Sequence, residues 1–230
     1  MKVDLLKYMS DRLQEDCAKV KEPGPVITIS REYGCPAKRI SQKLTEELTR
    51  KMFVKGKDIE WKYITKEIMS ESAKELELDP AKIQYVFKYE QKSLLDDILT
   101  AHSTKYYKSD RRIRNTIAKV IRNISCEGNA IIVGRGGVAI THDIPKSLHI
   151  HLEAPLEWRA LRTSAKFDMP IEDAEQYALD IDRKRKQFRE FFEGKNTDYT
   201  RFDLRFNCMT LSIDEIVNII IRAAEIRKLI

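Results

Sequence analysis

Apolar residues recur along this chain in two rhythms. Leu5, Leu6, Met9, Leu13, Cys17 and Val20 stand at helical spacing, which predicts an amphipathic helix over residues 1–24. Pro23, Gly24 and Pro25 end it. The next run, Val26-Ile27-Thr28-Ile29, is too brief for anything but a buried strand. It opens into Ser30-Arg31-Glu32-Tyr33-Gly34-Cys35-Pro36-Ala37-Lys38, after which Ile40, Leu44 and Leu48 resume the helical period. Strand, glycine-containing loop and helix form the first unit of a parallel α/β fold.

From about residue 59 to 127 the pattern reads helical, with Ile113, Ile117, Val120 and Ile124 on one stripe. Two further buried strands follow, Ala130–Val133 and Leu148–Leu152. A last strand, Asp203 to Cys208, precedes a helix where Ser212 and Glu215 have capping-box spacing. Ile216, Ile219, Ile220 and Ala223 share its apolar face. No hairpin signal separates the strands, so the expected fold class is α/β, a parallel sheet flanked by helices on both faces. A length of 230 residues suits one large domain, or a core with a sizeable insert.

Composition narrows the class. With 42% hydrophobic and 34% charged residues, a packed core is expected rather than disorder. No run approaches the roughly 18 apolar residues of a membrane span, and the charged opening residues lack a leader's apolar block. The expectation is a cytoplasmic protein without a membrane role. Cys17, Cys35, Cys126 and Cys208 form no CxxC pair, which points to neither a zinc knuckle nor a disulfide framework. The net charge of +6 suits either a nucleic-acid surface or a pocket for phosphates.

Three segments concentrate the cations. A turn feeding a helix N-terminus presents unpaired amides to an anion; here Gly34 permits close approach while Arg31, Lys38 and Arg39 add charge. Its match to the phosphate-loop pattern is poor, because Gly34 is the only glycine and Pro36 intervenes, so a plain connection is the competing reading. The second segment, Gly134-Arg135-Gly136-Gly137, directly follows a strand. In an open parallel sheet, loops at the carboxyl ends of strands line the ligand crevice, so Arg135 reaches the same edge as Arg31 and Lys38.

In the third segment, five of the seven residues from 183 to 189 are basic. On a helix, Arg185 and Arg189 share a face, with Asp182 one turn before Arg185. The segment reads as a solvated face, an arginine lid over a polyphosphate, or a nucleic-acid strip with interleaved aromatics. Arg159 and Arg162 add charge nearby. His149 and His151 share one side of a strand but lack a third ligand, so no metal site is expected. Cys35, near a helix N-terminus, is expected to have a lowered thiol pKa. Trp61 and Trp158 read as packing residues.

Taken in order, these segments resemble a known family. Ile27-Thr28-Ile29-Ser30-Arg31-Glu32-Tyr33-Gly34, Trp61-Lys62-Tyr63-Ile64-Thr65-Lys66-Glu67-Ile68 and Ile131-Ile132-Val133-Gly134-Arg135-Gly136 are similar to the cytidylate kinase-like proteins. So are Glu153-Ala154-Pro155-Leu156-Glu157-Trp158-Arg159, Asp182-Arg183-Lys184-Arg185-Lys186-Gln187-Phe188 and Leu211-Ser212-Ile213-Asp214-Glu215-Ile216-Val217. The likeness runs from about residue 25 to 225. It implies a P-loop NTPase-like domain over 25–230, with a helical monophosphate-binding insert at about 59–127 and a helical lid at about 163–200. The implied reaction takes ATP with Mg²⁺ as donor and CMP or dCMP as acceptor. The resemblance puts Ser30, Arg31, Gly34, Cys35, Ala37, Lys38 and Arg39 around the donor phosphates, with Lys38 as the principal cation. It puts Arg135 on the acceptor phosphate, Asp182 on its sugar and Arg185 on the phosphates. Arg159 and Arg162 would flank the adenine or donor phosphates; Arg183, Lys186 and Arg189 would complete the lid. Lys38, Arg135, Asp182 and Arg185 form the implied catalytic set, and Glu153 and Asp182 are both candidates to position the metal.

The departures bear on catalysis. Cys35-Pro36-Ala37-Lys38 stands where true cytidylate kinases carry a glycine-rich loop, and Pro36 has no N–H to donate. Ala178 stands where a further lid arginine is expected, and Gly136 where an acidic residue is. Three readings follow: a nucleoside monophosphate kinase, a nucleotide-binding regulatory protein of the same fold, and, less favoured, a nucleic-acid-binding protein. The N-terminal helix offers a surface for pairing two copies.

Overall fold

The computed structural model describes residues 23–65, 70, 72, 74, 110–194 and 199–230. The apolar runs near residues 26–29, 130–133 and 148–152 become inner strands buried on both faces, and the strands alternate with helices as the pattern requires. In chain order these are β1 (Val26–Arg31), α1 (Ala37–Val54), β2 (Lys62–Ile64), α2 (Asp110–Glu127), β3 (Ala130–Val133) and α3 (Gly137–Thr141). Then come β4 (Ser147–Glu153), α4 (Leu156–Phe167), α5 (Ile171–Glu193), a 3₁₀ turn (Tyr199–Arg201), β5 (Leu204–Asn207) and α6 (Ile213–Ile226). The sheet is all parallel in the order β2-β3-β1-β4-β5, so β1 is central and hydrogen-bonded on both sides. This all-parallel α/β sheet flanked by helices agrees with the fold class expected from the sequence.

Strand alternation decides which helices cover which face. Ile27 and Ile29, Ile131 and Val133, and Leu148, Ile150 and Leu152 point one way, into a core closed by α1 and α6. Helix α1 buries Ile40, Leu44 and Leu48 there. Helix α6 starts at the expected capping box, Ser212 with Glu215, and buries Ile216 and Ile220. Its Ile219 is exposed, and Val217 and Ile221 are buried instead. Val26, Ala130 and Ile132 face the other way, against α2 through Ile113, Ile117 and Ile121, and against Phe188 of α5. The same face of β4 carries His149 and His151, both buried.

Residues 62–64 depart from the helical reading of 59–127, since they form the edge strand β2. A strand so short shows no period of its own, and fully buried Trp61 anchors its start. The N-terminal helix, up to residue 22, and most of the expected insert lie outside the described residues. Cys126 is disulfide-bonded, contrary to the reading of the cysteine spacing. No described helix is long and apolar enough to cross a membrane.

Candidate functional site

At the carboxyl ends of β1 and β3, roofed by α5, lies a cavity of about 520 Å³. That volume suits a ligand of nucleotide size. Arg31 comes from the end of β1, Arg135 from the turn after β3, and Asp182 and Arg185 from α5; Ser30, His151 and Tyr199 complete the wall. Gly134, Arg135 and Gly136 have φ of 72°, 56° and 71° in succession. Two glycines take left-handed backbone freely, whereas Arg135 does so at a cost of roughly 1 kcal/mol. This turn swings Arg135 into the wall of the crevice.

The cations here are crowded. Burial, then the charges of Arg185 and Arg135, push Arg31 down to about 9. Burial and then Arg185 push Arg135 down to about 10. Burial also lowers Arg185, with Asp182 acting in the opposite sense. A site that depresses guanidinium groups in this way gains when an anion enters, because the anion relieves repulsion already built in.

The loop between β1 and α1 is not an open cradle. The Glu32 N–H bonds to Leu152 O, that of Cys35 to Glu32 O, and that of Ala37 to Cys35 O. Pro36 has no N–H to offer. The Tyr33 N–H donates to Asp182 Oδ1 at 2.7 Å. Arg159, buried at the start of α4, clamps the loop from below. Its Nε donates to Ala154 O (2.9 Å) and lies 3.2 Å from Glu32 Oε2, while its Nη1 reaches Tyr33 O (3.2 Å) and Asp182 Oδ2 (2.7 Å). A Cβ on Gly34 would stand 2.9 Å from that of Arg159, so only glycine allows α4 this close.

Other expected site residues scatter. Lys38 and Arg39 are exposed on the first turn of α1 and do not line the cavity; Ala37 is buried in the core. The Cys35 thiol is pushed up, first by its hydrogen bond to Cys208 and then by burial, opposite to the lowered value expected. Arg162 is exposed, stacks on Trp158 at 4.6 Å and donates to Gly34 O. Arg183 pairs with Asp180 and Lys186 with Glu190 along α5, which balances much of its outer face. Arg189 is buried beside Glu193 and against the ring of Tyr199 (4.7 Å), though it also borders the cavity. Glu32, Tyr33, His151 and Tyr199 line the cavity without having been given a role from sequence. For Glu32 and Tyr33 the available signal was their place at a carboxyl strand end.

Among the described residues no group of three or more His, Cys, Asp and Glu could hold a metal ion. Magnesium in phosphoryl transfer commonly needs only one or two carboxylates besides phosphate oxygens and water. Asp182 and Glu32, both paired with Arg159, are the carboxylates that line the cavity, whereas Glu153 is bound by Arg205 at 2.5 Å outside it.

A family model of the cytidylate kinase-like family matches residues 26–210, a span that includes every segment just described. The chain belongs to the cytidylate kinase-like family. That membership makes it kinase-like. The cytidylate kinase-like fold recurs in the crystal structure of an uncharacterized protein from Eubacterium ventriosum ATCC 27560. The two agree with a TM-score of 0.59 at 18% identity, over 87% of this chain and 97% of that one. No curated protein matches the chain.

Proposed function

We propose that this protein transfers the γ-phosphoryl group of ATP to a nucleoside monophosphate, CMP or dCMP, bound in the cavity. The observation that supports this is the convergence of Arg31, Arg135 and Arg185, from three separate elements, on one space of nucleotide size. Phosphoryl transfer asks a protein chiefly for positioning and for cations around the moving group. The β–γ bridging bond breaks, an acceptor phosphate oxygen takes the phosphorus, and ADP and a nucleoside diphosphate leave. Arg31 and Arg135, fixed by the sheet, hold the acceptor phosphate; Arg185 follows the transferring group from α5, which serves as lid and excludes water. Asp182 and Glu32, the carboxylates that line the cavity, would hold Mg²⁺ brought with ATP, which would supply charge neutralisation of the phosphates. The helical insert for the monophosphate and a cytoplasmic setting belong to the same proposal.

A second reading keeps nucleotide binding and drops turnover. It is favoured by the exposed Lys38 and by the loop amides already spent on internal bonds and on Asp182. A coupled ADP-release assay over a panel of monophosphates, run beside calorimetric titration with ATP–Mg²⁺ and CMP, separates the two. Turnover highest on CMP or dCMP supports transfer. Binding without turnover on any acceptor establishes the regulatory reading, and no binding of any nucleotide removes both.

A further inference from the structure

The best-coordinated anion in this site belongs to the protein itself. Asp182 Oδ1 accepts the Tyr33 N–H at 2.7 Å, and Oδ2 accepts Arg159 Nη1 at 2.7 Å. Arg185 Nη1 lies 3.5 Å from Oδ1. A backbone amide in a strand-to-helix turn and two guanidinium groups form a donor set suited to a phosphate oxyanion. The contacts holding α5 over this turn gather around the same carboxylate. The ring of Tyr177 meets Tyr33 edge-on at 5.2 Å, and Arg185 Nη1 donates to Arg31 O at 3.1 Å.

We propose that Tyr33 N–H, Arg159 and Arg185 form an oxyanion subsite, held in this state by Asp182 as a tethered self-ligand. A phosphate group of an incoming ligand enters by displacing that carboxylate. The inference concerns anion binding alone and requires no turnover, so it goes beyond the phosphoryl-transfer reading.

Three observations favour displacement over a permanent brace. Arg159 keeps a second carboxylate, Glu32 Oε2 at 3.2 Å, and its bond to Ala154 O, so it stays oriented when Asp182 leaves. The arginines around the pocket repel one another, and a phosphate dianion relieves that repulsion more than a single carboxylate does. Asp182 itself sits on a helix joined to the loop by side-chain contacts, not by a sheet ladder. Once released, the carboxylate becomes available to a ligand's sugar or metal. A self-ligand lowers apparent affinity by the fraction of molecules it keeps closed.

Calorimetric titration of inorganic pyrophosphate into the full chain and into Asp182→Asn tests this. The amide keeps the shape but loses the competing charge, so D182N is expected to bind pyrophosphate at least about 5-fold more tightly. Unchanged or weaker binding in the variant, or binding by neither protein, overturns the proposal, because a brace or a sugar ligand predicts those results. Hydrogen exchange on the unmodified chain keeps the test sound should the variant fail to fold. Pyrophosphate is expected to speed exchange in residues 177–189, and protection or no change there overturns it equally. Since both measurements use an anion without a nucleoside, their failure is distinct from an absence of kinase turnover.

Discussion

Arg31 Nη1 lies 1.9 Å from the point where a Cβ on Gly134 would stand, so the central strand's cation is seated in a notch that only glycine leaves open. Gly134 also has φ of +72°. Gly134→Ala is therefore expected to displace the guanidinium while the fold persists. The left-handed alanine costs roughly 1–2 kcal/mol in a denaturant titration. Affinity for CMP or pyrophosphate should fall at least about tenfold, as expected when a charge-assisted bond worth roughly 1.5–3 kcal/mol is lost. A variant that binds as the parent does would show that Arg31 is not a ligand group.

Lys38 and Arg135 separate the sequence expectation from the geometry. Lys38 faces solvent, whereas Arg135 forms part of the cavity wall. Lys38→Met should change nucleotide affinity by less than about twofold, while Arg135→Met and Arg185→Met each weaken it about tenfold or more. Loss of binding in the Lys38 variant alone would move the phosphate site back to the first turn of α1.

Acid should destabilise this fold through two buried imidazoles. Burial holds His149 and His151 down to about 4, below the ordinary 6.5. His149 is neutral between the hydroxyls of Thr28 (2.8 Å) and Ser147 (3.1 Å). On acidification the unfolded chain takes up protons first, so stability is full above about pH 6.5 and declines towards pH 4. By about pH 5 each imidazole accounts for a loss on the order of 2 kcal/mol. Urea midpoints measured across this range should fall, and His149→Gln with His151→Gln should flatten the decline.

The capping box of α6 offers a test remote from the site. Ser212 accepts the Glu215 N–H and Glu215 accepts the Ser212 N–H. Ser212→Ala should cost about 1 kcal/mol and leave ligand affinity unchanged, as melting and titration of one sample would show.

The sheet was legible because its strands are unusually apolar. Ile27, Ile29, Ile131 and Ile150 can belong only to an interior, and Ile40, Leu44 and Leu48 place α1 upon it. Strand β2 was hidden because three residues at a sheet edge, with Lys62 exposed, carry neither a period nor a continuous apolar run. At the site, Arg135 and Arg185 were legible as cations brought to one strand edge. Lys38 was misplaced by the assumption of a phosphate-loop geometry, for Pro36 and the turn bonds of Cys35 and Ala37 fold this loop differently. Arg159 reads as a cation beside the adenine or donor phosphates; sequence shows its charge but not its present partners, Glu32 and Asp182, which lie far apart in the chain.

One consequence follows from where Arg31 is mounted. Strand β1 is laddered to β3 and to β4, and Arg31 itself stands in register with Leu152. The backbone that carries that cation cannot shift to meet a longer or shorter guest without tearing the middle of the sheet, so only its side chain can adjust there. That backbone is a datum, and on the proposed lid reading α5 would be the sliding jaw of a caliper set against it. The crevice would then gauge the span from a guest's anionic end to its far end, with any tolerance in that span accommodated by the helix and by the Arg31 side chain.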